Sequence, residues 1–136
     1  EYYDIHNRTS FKINETFESK HLKITMTQVD KDFKDYTDLL GPKEGNKIIM
    51  AKFDAENIGT NDQYVSSYDF KGYVDDVAVS SYVWAESKYP SLSATLSAGK
   101  KGTGYVFMEV PKDATTLTLE YEASWLNDQK IKFIIE

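Results

Sequence analysis

The sequence predicts an all-β protein, an immunoglobulin-like two-sheet antiparallel β-sandwich of seven to nine strands. Three observations predict it: short segments in which apolar and polar residues alternate, turn signals between those segments, and no sustained helical period. Ten tyrosines and seven phenylalanines also favour strands over helices. The 136 residues contain no linker and no internal repeat. We therefore expect residues 1–10 to form a flexible lead-in and residues 11–136 to form a single domain.

The clearest strand candidate begins at Gly104 and ends at Pro111, because proline cannot donate a hydrogen bond to a sheet ladder. The glycines at and just before its start, Gly99, Gly102 and Gly104, are expected to give the backbone freedom for a turn. The strand carries apolar side chains on both faces. It is therefore expected in the middle of a sheet or under a partner, not at a free edge. One face carries Val106, Met108 and Val110, and the other carries Tyr105, Phe107 and Glu109.

Alternating patterns predict the remaining strands in the same way. The alternation of apolar and polar residues disappears in residues 30–46, which are rich in charged residues and contain two glycines. We therefore expect a long connection there, with one helical turn near residues 36–40. The clearest buried faces are expected at Leu22, Ile24 and Met26, at Ile49, Ala51, Phe53 and Ala55, and at Leu117, Leu119 and Tyr121. The predicted strands cover residues 11–17, 21–29, 47–58, short pieces within 64–83, 91–96, 116–124 and 131–135.

The composition excludes several function classes. A net charge of −6 with a single arginine, Arg8, argues against a nucleic-acid partner, which would need a basic surface. The chain has no cysteine, which excludes disulfides, thiol nucleophiles and thiolate metal sites. It opens at Glu1 and not at methionine, so we expect an upstream segment to be missing from the sequence.

No constellation of catalytic residues is visible, and we expect the protein not to be an enzyme. A Ser-His-Asp triad needs an imidazole held by a carboxylate, and neither His6 nor His21 has such surroundings in the sequence. The segment Gly99-Lys-Lys-Gly-Thr-Gly104 lacks the spacing of a phosphate-binding loop, and no helix follows it.

No cofactor is expected, with calcium as the one alternative. The paired carboxylates of Asp75 and Asp76 are weak candidates for a metal or ligand site, although two adjacent aspartates often just occupy a turn. A second acidic run, Asp30, Asp32 and Asp35, could supply oxygen ligands for calcium. It departs from the EF-hand pattern, however, and a solvated acidic loop is the alternative.

Aromatic residues supply the candidate ligand-binding site. Tyr82, Trp84 and Tyr89, together with Tyr68 and Tyr73, could form a stacking surface for a sugar or a peptide. The alternative is that these rings cover sheet edges and complete the core, as large aromatic residues usually do.

Several segments together resemble one protein family. The resemblance is carried by Asn57-Ile-Gly59, by Tyr73-Val-Asp75-Asp76, by Leu-Ser-Ala-Gly-Lys-Lys-Gly-Thr-Gly-Tyr-Val-Phe-Met-Glu-Val-Pro over residues 96–111, and by Leu119-Glu-Tyr121, Trp125 and Lys130-Ile131. The chain resembles the DUF4352 family of bacterial extracellular lipoprotein domains, which is close to DUF5067. The resemblance implies an immunoglobulin-like sandwich held outside a Gram-positive cell by a lipidated cysteine upstream of Glu1. It implies no catalytic residues.

We therefore expect a non-enzymatic extracellular domain that binds a partner or has a structural role. Its partner would be a protein or glycan of the cell envelope, and it would meet the membrane only through the lipid anchor. The alternatives are a carbohydrate- or peptidoglycan-binding module and a calcium-stabilised adhesin-like domain. Because sandwich folds carry many functions, the fold does not choose among them.

Overall fold

Short strands make up most of the chain. The computed structural model describes residues 8–36, 39, 41–80, 88–123 and 130–136. No helix in those ranges is long and apolar enough to cross a membrane. A 3₁₀ helix, Ser67–Asp69, follows the fifth strand. The described residues contain eleven strands: β1 (Ser10–Phe11), β2 (Thr16–Glu18), β3 (Leu22–Phe33), β4 (Asn46–Asn57), β5 (Gln63–Ser66), β6 (Phe70–Val74), β7 (Val77–Val79), β8 (Ser93–Leu96), β9 (Lys101–Pro111), β10 (Leu117–Tyr121) and β11 (Ile131–Ile135).

The strands form two main sheets that pack face to face. One sheet has the order β1-β11-β10-β6-β7, the other has the order β2-β3-β4-β9, and β5 and β8 form a separate ribbon. All pairings are antiparallel except that of β1 with β11. The ring of Phe53 on β4 lies 4.6 Å from that of Phe70 and 5.1 Å from that of Phe133, both on the opposite sheet. This architecture confirms the predicted immunoglobulin-like β-sandwich.

The inward faces follow the predicted alternation. Leu22, Ile24 and Met26 on β3 are completely buried, because every second residue of a strand points to the same face. The same holds along β4, β9, β10 and β11. The inward-facing core residues there are Ile49, Ala51, Phe53, Ala55, Val106, Met108, Val110, Leu117, Leu119, Tyr121, Ile131, Phe133 and Ile135.

Two predicted segment boundaries were wrong, and strands outnumber the predicted seven to nine. Residues 11–17 are not one strand. A turn containing Asn14, whose φ is 66°, sends β1 and β2 into different sheets and leaves Ile13 45% exposed. Residues 30–33 belong to β3 and not to the following connection, because two register shifts let the strand continue to Phe33. Residues 1–7 of the expected lead-in and residues 37, 38 and 40 of the expected helical turn lie outside the described ranges.

Strand β9 lies at the edge of its sheet, whereas its two apolar faces predicted a place in the middle of a sheet or under a partner. Its outer edge is nevertheless met by other backbone. Tyr105 N donates to Pro90 O (2.9 Å), and Leu92 N donates to Tyr105 O (3.1 Å). Further along, Glu109 N donates to Ser80 O (3.0 Å). Backbone groups of Ser80, Pro90 and Leu92 therefore cover parts of this edge.

Gly99 and Gly104 serve different purposes, although both were expected to free the backbone for a turn. Gly99 has a positive φ of 80° in the turn before β9. Gly104 lies inside β9, where a Cβ atom would stand 2.4 Å from Leu92 Cα. Gly104 is therefore required by the close approach of the segment that covers the β9 edge.

Candidate functional site: an aromatic face on the four-stranded sheet

The outer face of the four-stranded sheet has a polar half. The register places Glu18 opposite Lys23, Lys23 opposite Glu56, and Glu56 opposite Lys101, so charges alternate in sign across the four strands. Opposite charges in facing positions are favourable across strand pairs. This half has the composition of an ordinary solvated sheet surface.

The other half carries what we term the aromatic face: Phe33, Tyr36, Tyr89, Tyr105 and Phe107. Phe33 and Phe107 are buried together with Ile48 and Met50, whereas the three tyrosines are partly exposed. The ring centroids of Phe33 and Tyr89 lie 5.1 Å apart, and those of Tyr89 and Tyr105 lie 5.3 Å apart, each pair nearly perpendicular. Such edge-to-face contacts are favourable because they bring the positive ring edge onto the negative ring face.

Strand geometry explains how these rings meet. Tyr105 and Phe107 alternate with the inward residues of β9 and so share its outer face. The register shift after Asp30 sets Phe33 opposite Ile48, beside the same rings. Tyr89 reaches the cluster from the segment that leads to the covered β9 edge.

Asp35 fixes the position of Tyr89. The Tyr89 hydroxyl donates to Asp35 Oδ2 (2.7 Å), and Lys88 Nζ donates to the same oxygen (2.8 Å). These two hydrogen bonds hold the pKa of Asp35 below its ordinary value, and the bond from Lys88 has the larger effect. In return, the Asp35 carboxylate raises the pKa of both Lys88 and Tyr89. The contact joins the segment after β3 to the segment before β8.

A shallow depression adjoins the aromatic face. Its volume is about 490 Å³, and it combines tyrosine rings with an amide, a carboxylate and an ammonium group. Such a lining offers both a flat apolar surface and several hydrogen-bonding groups. The lining residues are Gln28, Val29, Asp30, Lys31, Phe33, Met50, Tyr89 and Tyr105.

The structure distributes the predicted ligand-binding aromatics over more than one place. Tyr89 belongs to the aromatic face, and Tyr82 and Trp84 lie outside the described residues. Tyr68 and Tyr73 line a cleft between the two sheets, in which Tyr105 also takes part. The sequence reasoning missed Tyr36 and Tyr105 as members of the aromatic face, in which Tyr105 contacts Tyr89 and Tyr36 contacts Phe33. The outward position of Tyr105 on the predicted strand was the available signal.

The predicted metal candidates lie at two separate places in the fold. Asp75 and Asp76 form the two-residue turn between β6 and β7, and their φ values of 49° and 67° are those of a type I′ hairpin turn. In the acidic run, Asp30 Oδ1 accepts a hydrogen bond from Asp32 N (2.9 Å), and Asp32 Oδ2 lies 3.4 Å from Lys34 Nζ. Within the described ranges, no group of three or more histidine, cysteine, aspartate or glutamate residues could hold a metal ion.

Solved structures share this fold. A candidate lipoprotein (ycdA) of Bacillus subtilis strain 168 superposes with a TM-score of 0.73 at 18% identity over 89% of this chain, and the chain spans only 38% of that protein. The yjhA protein of Bacillus subtilis has a TM-score of 0.69 at 21% identity, over 93% of this chain and 99% of its own. The secreted protein MPT63 of Mycobacterium tuberculosis has a TM-score of 0.64 at 13% identity, over 93% and 95%.

At these identities the likeness establishes the fold alone, and no curated protein matches the chain. The family assignment comes from the sequence of the domain itself. The model of the Domain of unknown function DUF4352 matches residues 11–131. That range contains all of strands β2 to β10. The chain therefore belongs to the DUF4352 family.

Proposed function

We propose that this chain is a non-enzymatic extracellular domain that binds a glycan of the cell envelope through its aromatic face. The extracellular setting is supported by the family and by the descriptions of two similar structures, one as a candidate lipoprotein and one as a secreted protein. A lipid anchor upstream of Glu1 on a Gram-positive cell is part of the same proposal.

The observation that carries the proposal is the pairing of Tyr89 and Tyr105 with polar side chains in one depression. The C–H face of a sugar ring can lie against an aromatic ring, while its hydroxyls bond to flanking polar groups. Gln28, Asp30 and Lys31 provide an amide, an acceptor and a donor beside the tyrosines. This combination fits a neutral glycan better than an apolar or strongly charged ligand.

The rigidity of Tyr89 supports a binding role over simple surface packing. Its ring is held by edge contacts to Phe33 and Tyr105, and its hydroxyl is held by Asp35. A side chain that is already fixed loses little rotamer freedom when a ligand binds, so more of the contact energy appears as affinity.

The charge state of Asp35 fits a positioning role better than that of a general acid. Glycosidases use two carboxyl groups about 5–10 Å apart, one of which is held protonated by a raised pKa. The hydrogen bonds from Lys88 and Tyr89 shift the pKa of Asp35 in the opposite direction. Asp35 is thus suited to orienting Tyr89 and unsuited to acting as a general acid.

Binding assays with single-ring deletions test the proposal. The probes are insoluble Gram-positive peptidoglycan in a pull-down and soluble N-acetylglucosamine oligosaccharides in calorimetry. We expect Tyr89→Ala and Tyr105→Ala each to weaken binding by about tenfold or more, since tenfold corresponds to about 1.4 kcal/mol of lost contact. Tyr64→Ala serves as the control because Tyr64 is an exposed tyrosine on β5, outside the aromatic face.

Thermal melts of all three variants verify that they fold. Wild-type protein that binds none of these glycans would contradict the proposal. So would folded face variants that bind as tightly as the Tyr64→Ala control.

A further inference from the structure

A cleft of about 350 Å³ opens between the two sheets, where β6 and β7 of one approach β9 of the other. Its floor is apolar and is formed by the core residues Phe70, Val106 and Met108 and by Val79, which packs against the core. The volume falls at the lower end of the range for small-ligand sites, roughly 300–1,000 Å³. It is sufficient for one aromatic ring system.

Two contacts fix the walls of the cleft. Gly72 on β6 has no side chain, and a Cβ atom there would stand 2.6 Å from Met108 Sδ. The β6 backbone and the Met108 side chain are therefore in direct contact at the floor. Beyond it, the hydrogen bond from Glu109 N to Ser80 O ties β9 to the end of β7.

Hydroxyl groups surround the opening. Ser67, Ser91 and Ser93 line it together with Tyr68 and Tyr73. Tyr68 is 83% exposed, so its ring is open to a partner. Tyrosine and serine together are typical of antibody binding loops, because tyrosine gives rigid contact area and serine gives adaptable hydrogen bonds.

Charge restricts the occupant. Among the described residues that line the cleft, Lys71 alone is charged, and its Nζ atom lies 3.4 Å from Glu122 Oε1. Among the described lining residues, a charged ligand would find only Lys71, which already pairs with Glu122, and burying an uncompensated charge is costly.

We propose that this cleft receives a neutral aromatic side chain from a partner protein. An apolar pocket ringed by hydrogen-bonding groups is the usual setting of a binding hot spot, and tryptophan and tyrosine are the commonest anchors. The occupant differs from the glycan assigned to the aromatic face. The cleft shares Tyr105 and Phe107 with the aromatic face, but its floor and its ring of hydroxyl groups are its own, so its test does not depend on glycan binding.

Amide chemical shifts of ¹⁵N-labelled protein test the proposal. The probes are N-acetyl-tryptophanamide, a blocked Gly-Gly-Trp-Gly-Gly peptide, and N-acetyl-lysinamide as the charged comparison. Both tryptophan probes are expected to shift Gly72, Val79 and Ser93 in a saturable manner, with the peptide binding at least as tightly because its backbone can bond to the hydroxyls. The lysine probe is expected to leave these amides unchanged.

Ala78→Phe, which adds a ring at a lining position, is expected to reduce binding of the tryptophan peptide at least tenfold. Val77→Phe is the matched control, since Val77 precedes it on β7, is exposed and does not line the cleft. Tyr68→Ala is a second variant, and it is expected to weaken binding of the tryptophan peptide severalfold without altering the core. The proposal would be overturned if the probes shifted only amides outside the cleft, or if Ala78→Phe and Val77→Phe bound the tryptophan peptide equally well. It would also be overturned if N-acetyl-tryptophanamide bound and the tryptophan peptide did not.

Discussion

The side-chain amide of Asn57 donates a 2.8 Å hydrogen bond to the carbonyl oxygen of Leu96, which lies 39 residues further along the chain. The same amide donates to Asn61 O (2.7 Å), and Asn57 Oδ1 accepts from Gly59 N (2.9 Å). Asn57 is fully buried. One side chain therefore completes the hydrogen bonding of the turn after β4 and fixes it to the end of β8.

Asn57→Ala is expected to lower the free energy of unfolding by about 2–4 kcal/mol, because it removes the partners of one buried and two partly buried backbone groups. Chemical denaturation measures the loss. Asn61→Ala is the control, since Asn61 is exposed and contributes its backbone carbonyl, which alanine retains. Equal losses in the two variants would show that the Asn57 side chain is not what joins the turns.

Gly104→Ala is expected to destabilise the protein by about 2–3 kcal/mol, because the added Cβ meets Leu92 backbone atoms that cannot rotate away. Gly102→Ala, two residues earlier in β9, is expected to cost less than about 1 kcal/mol. There the nearest atom is Leu96 Cδ2 at 3.2 Å, the end of a flexible side chain. Thermal and chemical melts compare the two variants. A Gly104→Ala protein as stable as Gly102→Ala would contradict the close backbone approach.

Asp35→Asn is expected to lower the pKa of Tyr89 toward the ordinary tyrosine value, because the Asp35 carboxylate is the main cause of its upward shift. ¹³C NMR titration of the Tyr89 ring measures the change. Asp32→Asn is the control, since Asp32 pairs with Lys34 and not with Tyr89. An unchanged Tyr89 pKa in Asp35→Asn would contradict the contact.

The same pair sets a pH dependence of the aromatic face. The folded-state pKa of Asp35 is lowered, so its contribution to stability is complete above the ordinary aspartate pKa. That contribution is lost as the pH falls through the lowered value. The shift of Tyr89 is upward, so its contribution is lost instead as the pH rises above the ordinary tyrosine pKa. The hydrogen-exchange protection factors of the Lys88 and Tyr89 amides should therefore be highest between these limits and fall outside them.

Asp76→Gly is expected to stabilise the protein by about 0.5–1 kcal/mol, because glycine adopts positive φ without steric cost and a type I′ turn favours it. Asp113→Gly, in an exposed turn without positive φ, is the control and is expected to destabilise slightly. Thermal melts with calcium and with a chelator accompany both variants. If calcium raised the melting temperature of the wild-type protein and Asp76→Gly abolished that rise, this turn would bind a metal ion as well as form the hairpin.

Alternation predicted the inner faces of the sandwich because burial repeats every second residue along a strand. Leu117, Leu119 and Tyr121 show this directly, since all three are buried as their spacing requires. The division of residues 11–17 was not predictable in the same way. It depends on Asn14 adopting positive φ and on the pairing of Phe11 with distant Phe133, and neither is encoded in the local period.

The candidate site was predictable in part. Tyr89 was singled out as an aromatic residue near a strand, but its partners come from other strands. Phe33 joins it only because a register shift lengthens β3, and Tyr105 joins it because β9 lies at the sheet edge. Register shifts and strand order arise from the packing of the whole molecule, so a reading of single segments cannot supply them.

The covered edge of β9 also bears on how molecules of this protein behave toward one another. A strand of eleven residues with apolar side chains on both faces, if left open, would be a template on which a second chain could add and begin a fibre. Backbone groups of Ser80, Pro90 and Leu92 already occupy positions along that edge. These backbone contacts thus leave less of the β9 edge open to the addition of a second chain.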